Sequence, residues 1–122
     1  MNFKMVHQNF NVLNLEKSLD FYDKALNLHE VKRITKENEF IIVYLESNDG
    51  SFQLELTWLN DRQEKYDLGE AEFHLAFVTD EYEKALKLHQ EMGVVCFINE
   101  AMGIYFIEDP DGYWLEVLPS NR

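Results

Sequence analysis

The chain has little of what would staple, interrupt or tether a fold. A single cysteine, Cys96, among 122 residues allows no internal disulfide, which suits a reducing compartment and leaves the fold to rest on its apolar core. The two prolines interrupt no helical stretch, the five glycines fall where turns are wanted, and no low-complexity segment appears, so one domain over 1–122 without a long linker is expected. Cations are scarce: 11 Lys and Arg against 23 Asp and Glu leave a net charge of −12. Such a chain repels phosphate backbones and anionic lipid, which excludes nucleic acid and membrane as partners. Long apolar runs are missing too. The longest, Phe40 to Leu45, is far below the roughly 18 residues a spanning helix needs. The start, MNFKMVHQNF, has no apolar signal-peptide core, and a cytoplasmic location is expected. What is present, 46% hydrophobic residues, is enough to close a core.

Apolar residues at Leu15, Leu19, Phe21, Tyr22, Ala25 and Leu26 recur at helical spacing, with Asn14 placed to cap them, and predict a helix over 14–26. Tyr82, Ala85, Leu86, Leu88 and Met92, closed by Gly93, predict a second over 81–92. Short apolar or alternating runs predict strands at Lys4 to Val12, His29 to Thr35, Phe40 to Leu45, Phe52 to Trp58, Phe73 to Val78, Val94 to Ile98, Ile104 to Ile107 and Tyr113 to Leu118. The order is strand, helix, three strands, and then the same again. Residues repeat with it. An offset of 67 superposes His7 on His74, Phe10 on Phe77, Glu16-Lys17 on Glu83-Lys84 and Leu19 on Leu86. An offset of 62 superposes Leu45-Glu46 on Ile107-Glu108 and Asp49-Gly50 on Asp111-Gly112, and 61 brings Leu54-Glu55 onto Leu115-Glu116. The fold class expected is α+β, two tandem βαβββ modules: module one 1–60, a connecting loop 61–70 and module two 71–122.

Four residues share the symmetry and a metal-friendly chemistry: His7 and His74 in each module's first strand, Glu55 and Glu116 in each module's last. Two imidazoles and two carboxylates suit a borderline divalent cation such as nickel, cobalt, zinc, iron or manganese. Strand parity groups them. Gln53, Glu55 and Thr57 point one way while Phe52, Leu54 and Leu56 point the other, and likewise Trp114, Glu116 and Leu118 oppose Tyr113, Leu115 and Val117. All four candidates thus fall on the sheet face away from the helices, where a charged Glu beside Trp and Val is costly unless paired or metal-bound. His29, His89 and Cys96 lack this support. The histidines read as surface or packing residues and the cysteine as a buried small hydrophobe.

The stretches MVHQNFNVLNLEKSLDFYDKALNL, LELTW through KYDLG to FHLAF, and IEDPDGYWLEVL resemble the glyoxalase I (lactoylglutathione lyase) family of the vicinal-oxygen-chelate superfamily, over nearly the whole chain. The resemblance implies βαβββ modules curling a mixed sheet around a metal cleft, and metal ligands at His7, Glu55, His74 and Glu116. It implies nickel or cobalt ahead of zinc, and a homodimer. It also implies isomerisation of the methylglyoxal-thiol hemithioacetal to an S-lactoylthiol through a metal-bound enediolate. Glu116 is the favoured base, with Glu55 its counterpart on the other face of the substrate. Asn11, Thr57 and Trp114 are the candidate substrate-binding residues. The chain departs from glutathione-using relatives at Asn11, where an Arg is frequent, at the displaced Leu59-Asn60, and in the short loop 99–103. The cosubstrate expected is therefore glutathione or another low-molecular-weight thiol. Alternatives are a thiol transferase of fosfomycin-resistance type, an epimerase, or a metal-free drug-binding module of bleomycin-resistance type. The transferases use three protein ligands, the epimerases place Gln where Glu55 stands, and the drug binders lack the ligand set.

Overall fold

The structure, a computed structural model, describes residues 1–121; Arg122, the last residue of the expected domain, lies outside them. Two compact units are present, Met1–Tyr66 and a second beginning at Asp67. In the first, β1 (His7–Asn11), α1 (Leu15–Leu26), β2 (His29–Lys36), β3 (Phe40–Glu46) and β4 (Gln53–Leu59) build a four-stranded sheet in the order β1-β4-β3-β2. The second repeats it with β5 (His74–Thr79), α2 (Tyr82–Met92), β6 (Val95–Asn99), β7 (Ile104–Glu108) and β8 (Trp114–Pro119), in the order β5-β8-β7-β6. In each sheet the first strand runs parallel to the last and the other pairs are antiparallel. These are the two βαβββ modules expected.

Local chemistry explains the boundaries. Asn14 accepts the Lys17 amide at 3.1 Å and opens α1, and Asn27, at φ 54°, closes it by donating to the Asp23 and Tyr22 carbonyls. Asn tolerates this left-handed backbone because its short polar side chain is only mildly disfavoured there. Gly93 does the same for α2 at φ 72°. At its other end α2 has no side-chain cap from Glu81; instead the Thr79 hydroxyl accepts the Glu81 amide at 3.1 Å. β1 is shorter than the run from Lys4 predicted, because strand pairing starts at His7 opposite Gln53 and leaves Met1, Phe3 and Met5 exposed.

In the first unit α1 buries Leu15, Phe21, Tyr22 and Ala25, and the sheet contributes Phe10, Val43, Leu45, Leu54 and Leu56. Each large side chain so placed stabilises the unit by roughly 1.5–3 kcal/mol. In the second the core holds Tyr105, Ile107, Leu115 and Val117, and the buried residue of α2 is His89, whose Nδ1 lies 2.7 Å from the Tyr105 hydroxyl. Cys96 is half-buried rather than buried, because β6 is an edge strand with a bulge between Val95 and Phe97. What burial it has, with Glu108 second, pushes its thiol above the ordinary range. Among the described residues no helix is long and apolar enough to cross a membrane.

Candidate metal centre

The register of each parallel pair sets two side chains together. His7 lies opposite Gln53 and Asn9 opposite Glu55, so His7 and Glu55 are diagonal neighbours on one face of β1 and β4. His74 opposite Trp114 and Ala76 opposite Glu116 place His74 and Glu116 identically on β5 and β8. The His7 Nε2 stands 3.7 Å from Glu55 Oε1, and the His74 Nε2 3.3 Å from Glu116 Oε1. Two donors about 2.1 Å from one cation, at angles of roughly 90° to 125°, are about 3.0 to 3.7 Å apart. Both pairs therefore fit the ligand spacing of a divalent ion, and their nitrogen and oxygen donors fit its chemistry. The carboxylates are mostly buried, at 13% and 14% exposed, while the imidazoles remain open to solvent at 38% and 43%. Among the described residues no group of three or more His, Cys, Asp or Glu converges on one metal-sized position. The four candidates stand as two pairs, one in each unit.

The strand next to each carboxylate completes the surroundings. Tyr44 of β3 is the register partner of Glu55, and Phe106 of β7 that of Glu116. Each ring receives the neighbouring imidazole edge-on: His7 at 5.8 Å and 74° from Tyr44, His74 at 5.1 Å and 81° from Phe106. The neighbouring Glu55 first, and desolvation second, raise the Tyr44 phenol above its usual range. Phe106 is further bracketed by Trp114 at 5.3 Å and Phe97 at 6.2 Å.

The substrate-binding candidates divide between the units. Asn11 and Thr57 are register partners in the first, and Asn9 joins them: the Thr57 hydroxyl donates to Asn9 Oδ1 at 2.6 Å and Asn9 Nδ2 donates to Asn11 Oδ1 at 2.8 Å. Trp114 belongs to the second, where Ala76, Val78 and Leu118 occupy the corresponding places. One face is thus polar beside its Glu and the other apolar. Asn9 and Tyr44 were not singled out by sequence. Parity after His7 points to Asn9, and the offset of 62 that superposes Leu45-Glu46 on Ile107-Glu108 also superposes Tyr44 on Phe106. The cations nearest in sequence are already engaged. Arg33 holds both oxygens of Glu30 at 2.9 and 2.8 Å, Lys36 pairs with Glu39 at 3.0 Å, and Arg62 donates to the Glu64 and Lys65 carbonyls while lying 4.2 Å over the Tyr66 ring. His29 is exposed on β2, and His89 is packed in the second core.

Residues 4–117 match the model of the Glyoxalase/Bleomycin resistance protein/Dioxygenase superfamily. A lactoylglutathione lyase of Neisseria meningitidis serogroup A is 37% identical, the match covering 97% of this chain and 91% of the relative. One from Escherichia coli O157:H7 is 30% identical over 97% and 93%. The solved structure of the trypanothione-dependent glyoxalase I of Leishmania major superposes with a TM-score of 0.87 at 26% identity, covering 98% of this chain and 88% of that one.

Proposed function

The chain belongs to the glyoxalase/bleomycin resistance protein/dioxygenase superfamily, and from that membership we propose that it is an enzyme, a metal-dependent lactoylglutathione lyase. It isomerises the hemithioacetal of methylglyoxal and a low-molecular-weight thiol to the S-lactoylthiol. Glutathione is the first thiol to test. The near full-length identity to lactoylglutathione lyases supports the reaction. The single observation that carries the chemistry is the pair of His–Glu contacts at equivalent register positions of two modules with the same strand order. His7, Glu55, His74 and Glu116 form the ligand set, nickel or cobalt is the preferred ion, and the enzyme works as a cytoplasmic homodimer.

The proton to be moved sits on the carbon that carries sulfur and hydroxyl, and it is too weakly acidic for a carboxylate in water. A bound divalent cation supplies Lewis acidity that stabilises the negative charge developing on the substrate oxygens. The rest falls to side chains of this chain. Glu116 takes the proton and returns it to the adjacent carbonyl carbon, and its low exposure and apolar neighbours keep water from competing for that proton. Glu55 stands as the second carboxylate of the proposed set. Asn11 and Thr57 offer polar contacts to the thiol's amide groups, and Trp114 offers an apolar wall to the methylglyoxal-derived end.

The test is thioester formation from methylglyoxal with glutathione and with other thiols, after loading the apoprotein separately with nickel, cobalt and zinc. Activity with one or more thiols, highest with nickel or cobalt and lost in Glu116→Gln, is expected. Inactivity with every thiol and metal contradicts the proposal.

A further inference from the structure

Each carboxylate stands in a row of register partners that crosses its sheet on one face. In the first unit the row is Asn9, Glu55, Tyr44 and Lys32, and in the second it is Ala76, Glu116, Phe106 and Phe97. The outermost members arrive by the same device. In β2 the register slips between Glu30 and Lys32, and in β6 between Val95 and Phe97. Such a bulge turns the residues beyond it to the opposite face. Uninterrupted pairing from Glu30 opposite Leu45 would set Lys32 opposite Val43 on the core side, and the slip sets it opposite Tyr44 instead. The second row thus ends in an apolar ring and the first in a cation.

Lys32 is held there without being neutralised. Its Nζ stands 5.4 Å from the centre of the Tyr44 ring, a cation–π contact, and no carboxylate among the described residues lies within ion-pair distance of it. The other cations of β2 are paired. Arg33 faces the opposite way, across from Val43, and forks onto Glu30, while Lys36 meets Glu39. A chain of net charge −12 repels an anionic thiol in general, so an unpaired ammonium on the face that carries Asn9, Asn11 and Thr57 gives such a thiol a local site. We propose that Lys32 is the specificity-determining residue for the cosubstrate: its ammonium binds a carboxylate of the thiol, and the site takes carboxylate-bearing thiols such as glutathione ahead of uncharged ones. This rests on the lyase reading given above for the reaction, while the contact itself is one the thiol makes without reacting.

Calorimetric binding of S-methylglutathione, which cannot form a hemithioacetal, and of its diethyl ester, which lacks both free carboxylates, to the nickel-loaded protein tests it beside steady-state kinetics. Lys32→Gln is expected to weaken binding of S-methylglutathione about tenfold or more, the loss of a charge-assisted bond, and to leave the diester within about twofold of wild type. With glutathione as cosubstrate KM should rise by about the same factor while kcat holds, and Lys32→Arg should restore it. Arg33→Gln, which removes the neighbouring cation from the opposite face, should bind both probes as wild type does. Equal losses for both probes in Lys32→Gln mark a mere brace for Tyr44 and overturn the proposal, as does unchanged binding of S-methylglutathione. Either result leaves the lyase reading standing if the wild-type protein isomerises hemithioacetals. Wild-type protein that binds S-methylglutathione through Lys32 but isomerises no hemithioacetal contradicts the lyase reading and leaves the contact assigned. Wild-type protein that binds neither probe overturns the role of Lys32.

Discussion

Replacing Asp109 by Ala removes the acceptor that aims β8, and with it Glu116, into place. The buried Asp109 Oδ1 accepts the amides of Asp111 and Tyr113, each at 2.9 Å, in the turn Asp109-Pro110-Asp111-Gly112 that delivers the chain into β8 at Trp114. Gly112 at φ 93° lets the turn close, its amide donating to the Asp109 carbonyl at 3.1 Å. Alanine takes away the acceptor that these two amides share, at about 1–3 kcal/mol for each bond to a buried residue, so the variant loses about 2–6 kcal/mol. At roughly 3–5 °C per kcal/mol for a chain of this size, even a 3 kcal/mol loss lowers Tm by about 9–15 °C. The corresponding turn of the first module provides the control. There Asp49 Oδ1 accepts the Ser47 hydroxyl at 2.8 Å and the Ser51 amide at 3.4 Å, all at the surface where water replaces the lost acceptor. Asp49→Ala should stay within about 0.5 kcal/mol of wild type. Urea unfolding of both variants is the assay. An Asp109→Ala protein within 1 kcal/mol of wild type, or an Asp49→Ala protein as damaged as Asp109→Ala, refutes the reasoning that burial of the donors sets the cost.

His89→Ala loses both the bond to the Tyr105 hydroxyl and the ring that fills the second core, so it should lower stability by about 2–4 kcal/mol in the same denaturation assay, with Tyr105→Phe losing about 1–2 kcal/mol. Cys96 should be alkylated by iodoacetamide more slowly at neutral pH than a free small-molecule thiol. Burial and Glu108 raise its pKa, so the reactive thiolate is depleted there, and the rate should keep climbing past pH 9; a rate already flat by pH 8 contradicts the shift.

The modules were legible because period and punctuation agree. The stripe of α1 begins at a residue able to cap it, α2 ends on glycine, and Asp-Gly turns recur at one offset. His7, Glu55, His74 and Glu116 were legible because the period of two along a strand fixes which face a residue takes, and the repeat fixes which residues correspond. The structure adds what neither period supplies. Glu55 meets Tyr44 only through the β3–β4 register, a tertiary fact set by the turn at 47–52. His89 follows the helical spacing of Ala85 and Met92, and a polar ring there reads as surface or packing alike until Tyr105 is seen to meet it. Cys96 sits in an apolar run whose edge position comes from strand order, which the run itself does not encode.

Nickel binding by wild-type protein and by His7→Ala, Glu55→Gln, His74→Ala and Glu116→Gln, measured by calorimetric titration of the apoprotein, tests most directly the proposal that these four residues are metal ligands. All four variants should lose affinity by tenfold or more, because each removes a proposed ligand. Loss confined to the variants of one pair, with the other pair's variants binding nickel as wild type does, contradicts the account.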